Sequence, residues 1–142
     1  MKRIFVVFVA LILLFIAGCG AKYYSPPTKY AIQKVLRVEL LDTSSDDEVL
    51  IHTIESEELE AFWTDFMQIK FRRYWNDPAT KYGDKAIRVV YLDGWEDIIG
   101  IDINGRYNNG KSQRVGWYYL DDESDFEILF AKYGVQEVNL FD

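Results

Sequence analysis

Ala86-Ile87-Arg88-Val89-Val90-Tyr91-Leu92-Asp93-Gly94-Trp95-Glu96-Asp97-Ile98-Ile99-Gly100-Ile101-Asp102-Ile103 is the stretch on which the fold turns. Ala86 to Leu92 is rich in β-branched and aromatic residues and reads as a strand. Asp93-Gly94 is a hairpin signal, because glycine accepts the positive φ that tight turns require. Trp95 to Ile103 is then the returning strand. Side chains along a strand alternate between its two faces. Counted from this turn, Ile98 shares a face with Ile87, Val89 and Tyr91, while Ile101 and Ile103 fall on the other. A β-bulge at Gly100 restores the register. Strands joined by so short a turn are antiparallel, since a parallel crossover needs a dozen residues or more.

Outward toward the C-terminus, Asn104-Gly105 and Asn109-Gly110 mark turns. Ser112 to Leu120 reads as one strand with Val115, Trp117 and Tyr119 on one side. Asp122 or Ser124 caps a last helix, and Ser124-x-x-Glu127 has the form of a capping box. Phe126, Leu129, Phe130 and Tyr133 are its apolar stripe, Gly134 is placed to be its C′ residue, and Val135 to Phe141 suits a short closing strand.

Outward toward the N-terminus, Lys34 to Leu41 and Glu48 to Ile54 form a hairpin about the polar turn Asp42-Thr43-Ser44-Ser45-Asp46-Asp47. Ser56 is a suitable N-cap. Glu57 and Glu58 follow in the first turn, where the helix dipole favours them. Leu59, Phe62, Trp63 and Phe66 make one apolar helix face, ending near Met67. Ile69 to Trp75 fits a strand or an extension of that helix, and Asn76-Asp77-Pro78 ends it. The predicted fold is α+β: an antiparallel sheet of five to six strands with two amphipathic helices packed on one face.

The N-terminus has a different character. Met1-Lys2-Arg3 precedes an unbroken apolar run from Ile4 to Ala17, and Gly18-Cys19-Gly20 follows. The run has 14 residues, short of the roughly 20 a transmembrane helix needs. A basic head, an apolar middle and small residues at a cut site are the layout of a secretory signal peptide. Ile16-Ala17-Gly18-Cys19 resembles the lipobox of bacterial lipoproteins. That resemblance implies cleavage before Cys19 and acylation of its thiol. It makes 1–18 a signal peptide, 19–30 a lipidated tether stiffened by Pro26-Pro27, and 31–142 a single domain. It also implies attachment to the cell membrane on the extracytoplasmic face. Gly20 after the cysteine leaves inner against outer membrane open. Beyond the lipobox, the layout is similar to small uncharacterised lipoproteins of Gram-positive bacteria.

The whole chain has 16 basic and 23 acidic residues. Without Lys2 and Arg3 the charge from Cys19 onward is near −9. Such a surface repels nucleic acid, and the sequence presents no basic membrane-docking face. No cofactor is implied. Cys19 is the only cysteine and His52 the only histidine, too few for a zinc site. Asp42 to Asp46 has oxygens at calcium-loop spacing, but Asp47 and Thr53 stand where such a loop needs glycine and an acid. There is no Gly-x-Ser-x-Gly elbow. These exclusions favour a non-enzymatic binding module for a basic protein or peptide, of an immunity-like or inhibitor-like kind. The rival readings are an envelope glycan-binding module or hydrolase built on a carboxylate pair, and a structural subunit of an envelope complex. Trp95, Tyr107, Trp117, Tyr118 and Tyr119 are the candidate binding residues, as an exposed aromatic patch on the sheet side away from the helices. The competing role for them is to cover a second core layer or a strand rim.

Overall fold

The structure is a computed structural model and describes residues 21–74, 81–113 and 115–134. A short 3-10 turn, Ile32–Lys34, leads into β1 (Val35–Asp42), β2 (Val49–Ile54) and α1 (Ser56–Phe66). β3 (Phe71–Arg73), β4 (Lys85–Tyr91), β5 (Glu96–Gly100), β6 (Asn104–Asn108), β7 (Lys111–Gln113), β8 (Tyr118–Leu120) and α2 (Ser124–Tyr133) follow. Six strands form one sheet in the order β2-β1-β4-β5-β6-β7, with every described pairing antiparallel. β3 and β8 form a second, two-stranded antiparallel sheet. The class is therefore mixed α+β.

One apolar cluster joins these elements. Val38, Leu40, Ile54, Ile87, Val89 and Ile99 come from the large sheet, and Phe71 and Leu120 from the small one. α1 contributes Phe62, Trp63 and Phe66, and α2 contributes Phe126, Leu129, Phe130 and Tyr133. The apolar stripes of both helices are thus buried, with Leu59 partly so. A smaller cluster of Leu41, Ala86 and Ile98 lies apart, flanked by Tyr82 and Tyr107.

The central hairpin forms, with a different register from the one counted above. Tyr91 accepts from the Gly94 amide (3.1 Å) and donates to the Trp95 carbonyl (2.9 Å). The loop is therefore three residues, Leu92-Asp93-Gly94, with Gly94 left-handed at φ +82°. A three-residue loop shifts the pairing by one relative to a two-residue loop, and one step exchanges the faces. Ile99 pairs with Ile87 and faces the main cluster, whereas Ile98 pairs with Arg88 on the opposite face. No bulge forms at Gly100, which ends β5 paired with Ala86. Glycine stands there because a Cβ would overlap the Tyr82 backbone.

Other boundaries also differ. Asn104-Gly105 opens β6 and is not a turn. Asn109-Gly110 is the two-residue turn, with φ of +46° and +78°. Ser112 to Leu120 is split between the two sheets, and Gly116 is left-handed at φ +72° in the break. Phe71–Arg73 is strand, which settles that part of the 69–75 ambiguity; Trp75 and Val135 to Phe141 lie outside the described residues. Ser56 is the first residue of α1 and not its cap. Ser124 likewise lies inside α2, so no capping box forms. Asp122 takes up the helix start by accepting from the Ser124 amide (3.0 Å), and Glu127 bonds Lys85 (2.7 Å). Gly134 is right-handed at φ −87°, so it is not a left-handed C′ residue.

Candidate functional site

Residues 24–30, expected as tether, lie against the domain. Tyr24 exchanges both backbone hydrogen bonds with Phe71 (2.9 Å each), and Pro26 is buried. The Lys29 amide donates to the Asp97 carboxylate (2.6 Å), which also accepts from the Tyr91 hydroxyl (2.5 Å) and Arg106 Nε (2.5 Å). The Tyr91 hydroxyl is pushed above its ordinary range by burial and by its bond to Asp97. The Lys29 ammonium sits 3.9 Å from the Trp95 ring centroid and 3.7 Å from Asp93. Asp93 also accepts from the Tyr30 hydroxyl (2.7 Å).

On the opposite sheet face the residues are charged. Arg88 donates to Glu39 (2.8 Å) and to Glu48, and lies 3.7 Å from Glu96. Arg37 holds the other Glu39 oxygen at 2.8 Å. Burial opposes ionisation of Glu39, but the two arginines outweigh it and keep the carboxyl below its usual range. A general acid needs the reverse, a proton retained near neutral pH. Beside this network the Tyr82 and Tyr107 hydroxyls bond at 2.8 Å.

The two edges of the large sheet contrast. β7 is three residues long and carries Lys111, the kind of short charged edge that resists pairing. β2 is six residues long, and Val49 and Leu50 are more than half exposed. Among the described residues no strand pairs with its outer edge. Acids flank it. Asp46 and Asp47 lie in the exposed loop before it, and Glu55, Glu57, Glu58 and Glu60 are exposed on the segment after it. Glu58 meets His52 of β2 at 3.3 Å. Asp47, Glu55, Glu57 and Glu60 have no cationic partner among the described residues.

The five aromatics singled out from sequence are dispersed. Trp95 and Tyr118 pack against the main cluster, and Tyr107 against the smaller one. Tyr119 stacks on Tyr74 at 4.3 Å. The Trp117 carbonyl accepts from the Tyr74 amide (2.9 Å). All five are half-buried. Tyr107 lies in β6 and not in a turn. Cys19 is outside the described residues. Among those residues no group of three metal-ligating side chains occurs, and no helix is long and apolar enough to cross a membrane. Comparison of the chain with protein-family models, curated proteins and solved structures found no match.

Sequence reasoning missed the exposure of β2. The signal was present: Val49 and Leu50 break the polar alternation expected of a strand with one wet face.

Proposed function

We propose that the chain is a lipid-anchored, extracytoplasmic binding module whose edge strand β2 takes an extended basic segment of a partner protein or peptide. The observation that carries this reading is the pairing of a six-residue edge that no described strand covers, bearing exposed Val49 and Leu50, with acids on both sides of it. An added strand gains main-chain hydrogen bonds from the edge and specificity from alternate side chains. The acids supply steering for a cationic partner and repel nucleic acid and acidic proteins. Both helices are inferred to cover the sheet face that bears Val38, Leu40, Ile87, Val89 and Ile99, because their buried residues share one cluster with it. That arrangement leaves the opposite, charged face and the edges of the sheet, and of the two edges β2 is the one that bears exposed apolar side chains. An immunity-like or inhibitor-like protein fits this description, and catalysis is not part of it.

Two experiments test the two halves. Cys19→Ser abolishes labelling by a fatty-acid analogue and blocks processing; label retained in the mutant removes the anchor. A peptide of alternating lysine and valine slows amide exchange along β2, and an alternating glutamate and valine peptide does not. Leu50→Lys, which places a charge on the edge, abolishes the protection. Equal protection by both peptides, or none by either, removes the binding edge.

The glycan reading keeps one observation of its own. A groove of about 300 Å³ between the helices holds Asp65 and Asp125. Hydrogen bonds from Lys132 and Tyr133 hold Asp65 below its usual range, while burial and the nearby Asp122 and Asp121 raise Asp125. Soluble envelope glycan fragments that shift the resonances of Leu129 and Lys132 would favour it over the edge strand.

A further inference from the structure

The outer face of the small sheet gathers cations and tyrosines that lie far apart in the sequence. Phe71 pairs with Leu120, and both are buried in the core. By alternation, Arg72 and its partner Tyr119 point the other way. Tyr74 shares that face and stacks on Tyr119. Tyr23, one residue before the Tyr24 bridge, is 44 % exposed. Lys70 Nζ and the Arg72 guanidinium lie 5.2 and 5.4 Å from its ring centroid. Lys22 lies 5.5 Å from the ring of Tyr24. Against these cations stand Asp121, bonded to Arg72, and Asp125, close enough to Lys70 to feel its charge. Over the whole chain acids outnumber bases, 23 to 16, which hides this gathering of cations. The fold brings Lys70 and Arg72 together beside the exposed Tyr23 ring.

We propose that this face, formed by Tyr23, Lys70, Arg72, Tyr74 and Tyr119 with Lys22 at its rim, rests on the membrane surface. The occupant is the lipid headgroup layer. The proposal depends on acylation of Cys19. Three residues separate Cys19 from Tyr23, and the four steps between them span at most about 14 Å of chain. An anchor at Cys19 therefore brings Tyr23 to within that distance of the bilayer. Tyrosine is at home at headgroup level, with its ring toward the acyl chains and its hydroxyl in water. Lysine and arginine reach from their apolar stems to lipid phosphates.

The test uses the full chain, processed and acylated in a bacterium, then reconstituted into vesicles of phosphatidylglycerol and phosphatidylcholine. Acylation consumes the only thiol, so a cysteine introduced on the surface is a unique labelling site. A fluorophore at Lys70→Cys is expected to be quenched several-fold more by a headgroup spin label than one at Ser112→Cys on β7. Lys22→Glu is expected to shrink that difference. Equal quenching at the two positions, on protein that stays with the vesicles, overturns the proposal and leaves the anchor intact. An unchanged difference in Lys22→Glu overturns the contribution of the cations. Protein that fails to sediment with vesicles overturns the anchor and the docking face together.

Discussion

Asp97 and Glu39 are two buried carboxylates in one sheet, 1 % and 8 % exposed, and each is met by an arginine. Their surroundings are organised in opposite ways. Asp97 is one acceptor for several donors: the Lys29 amide, the Tyr91 hydroxyl and two nitrogens of Arg106. Those donors come from three separate stretches of the chain. Around Glu39 the shared centre is instead a donor. Arg88 spans Glu39, Glu48 and Glu96, and Arg37 adds a second cation. Loss of Asp97 takes the carboxylate from all three partners at once, leaving the Lys29 amide only the Tyr91 hydroxyl (2.9 Å) and Arg106 only the Pro27 carbonyl (3.4 Å), whereas loss of Glu39 leaves Arg88 with two carboxylates. A buried charge is thus costly to remove in proportion to how little else can answer its partners.

Asp97→Ala is the sharpest way to break this contrast. It removes the counter-charge of the Arg106 guanidinium, only 13 % exposed, and takes the carboxylate acceptor from a buried hydroxyl and a backbone amide. Removing one partner of a buried pair costs about 3–5 kcal/mol. In a domain of this size, that lowers Tm by more than about 10 °C. Amides of residues 24–30 exchange faster in the variant, because the shorter of the two bonds from the Lys29 amide to the sheet is gone and only the one to the Tyr91 hydroxyl remains. A Tm within about 2 °C of wild type would show that the segment is held without Asp97.

Glu39→Gln has a smaller effect, about 1–2 kcal/mol at neutral pH, since hydrogen bonds between a charged group and arginine are weakened and not all lost. Its pH dependence is more telling. The two arginines hold the folded carboxyl below its ordinary range despite burial. An acid held low in the native state stabilises it fully above the unfolded value, and this contribution fades as pH falls through the folded value. The stability gap between wild type and Glu39→Gln is therefore constant near neutrality and closes below about pH 4.5. A gap that widens on acidification reverses the assigned direction.

The sequence made the strand and helix inventory legible wherever apolar periodicity was strong. The β1–β2 hairpin, the Phe62/Trp63/Phe66 stripe and the Phe126/Leu129/Phe130/Tyr133 stripe were all readable in that way. Register was not. Asp93-Gly94 and Asn109-Gly110 are nearly the same dipeptide, yet the first closes a three-residue loop and the second a two-residue one. The difference lies in whether the residue before the glycine takes a positive φ. Asn109 does and Asp93 does not, and asparagine adopts that conformation more readily. Asp97 escaped notice for the same reason: on the register counted from a two-residue turn it falls away from the core. Tyr118 and Tyr119 part from Trp95 and Tyr107 because of the break at Gly116, which sends β8 to a different sheet, and Trp95 parts from Tyr107 because they pack on different clusters. The face was illegible because the chain brings Tyr23 and Lys70 together only through the Tyr24–Phe71 bridge.

The smallest expected effect separates the two ways in which Lys29 is held. Its ammonium contacts the Trp95 and Tyr30 rings at 3.9 and 4.7 Å and Asp93 at 3.7 Å. Its backbone amide carries the bond to Asp97. Lys29→Ala removes the first set and keeps the second. A cation on an aromatic face at a partly exposed position is worth about 1 kcal/mol, and the ion pair with the half-exposed Asp93 adds little. The variant should therefore lose only a few degrees in Tm, and residues 24–30 should keep the slow amide exchange of the wild type. The buried carboxylate, acting on main chain, is then what fastens the segment, and the side chain only covers it. If Lys29→Ala instead frees that segment as fully as Asp97→Ala does, the fastening resides in the ammonium. Asp97 would then serve Arg106 and Tyr91 alone, and the contrast with Glu39 would shrink to a difference in burial.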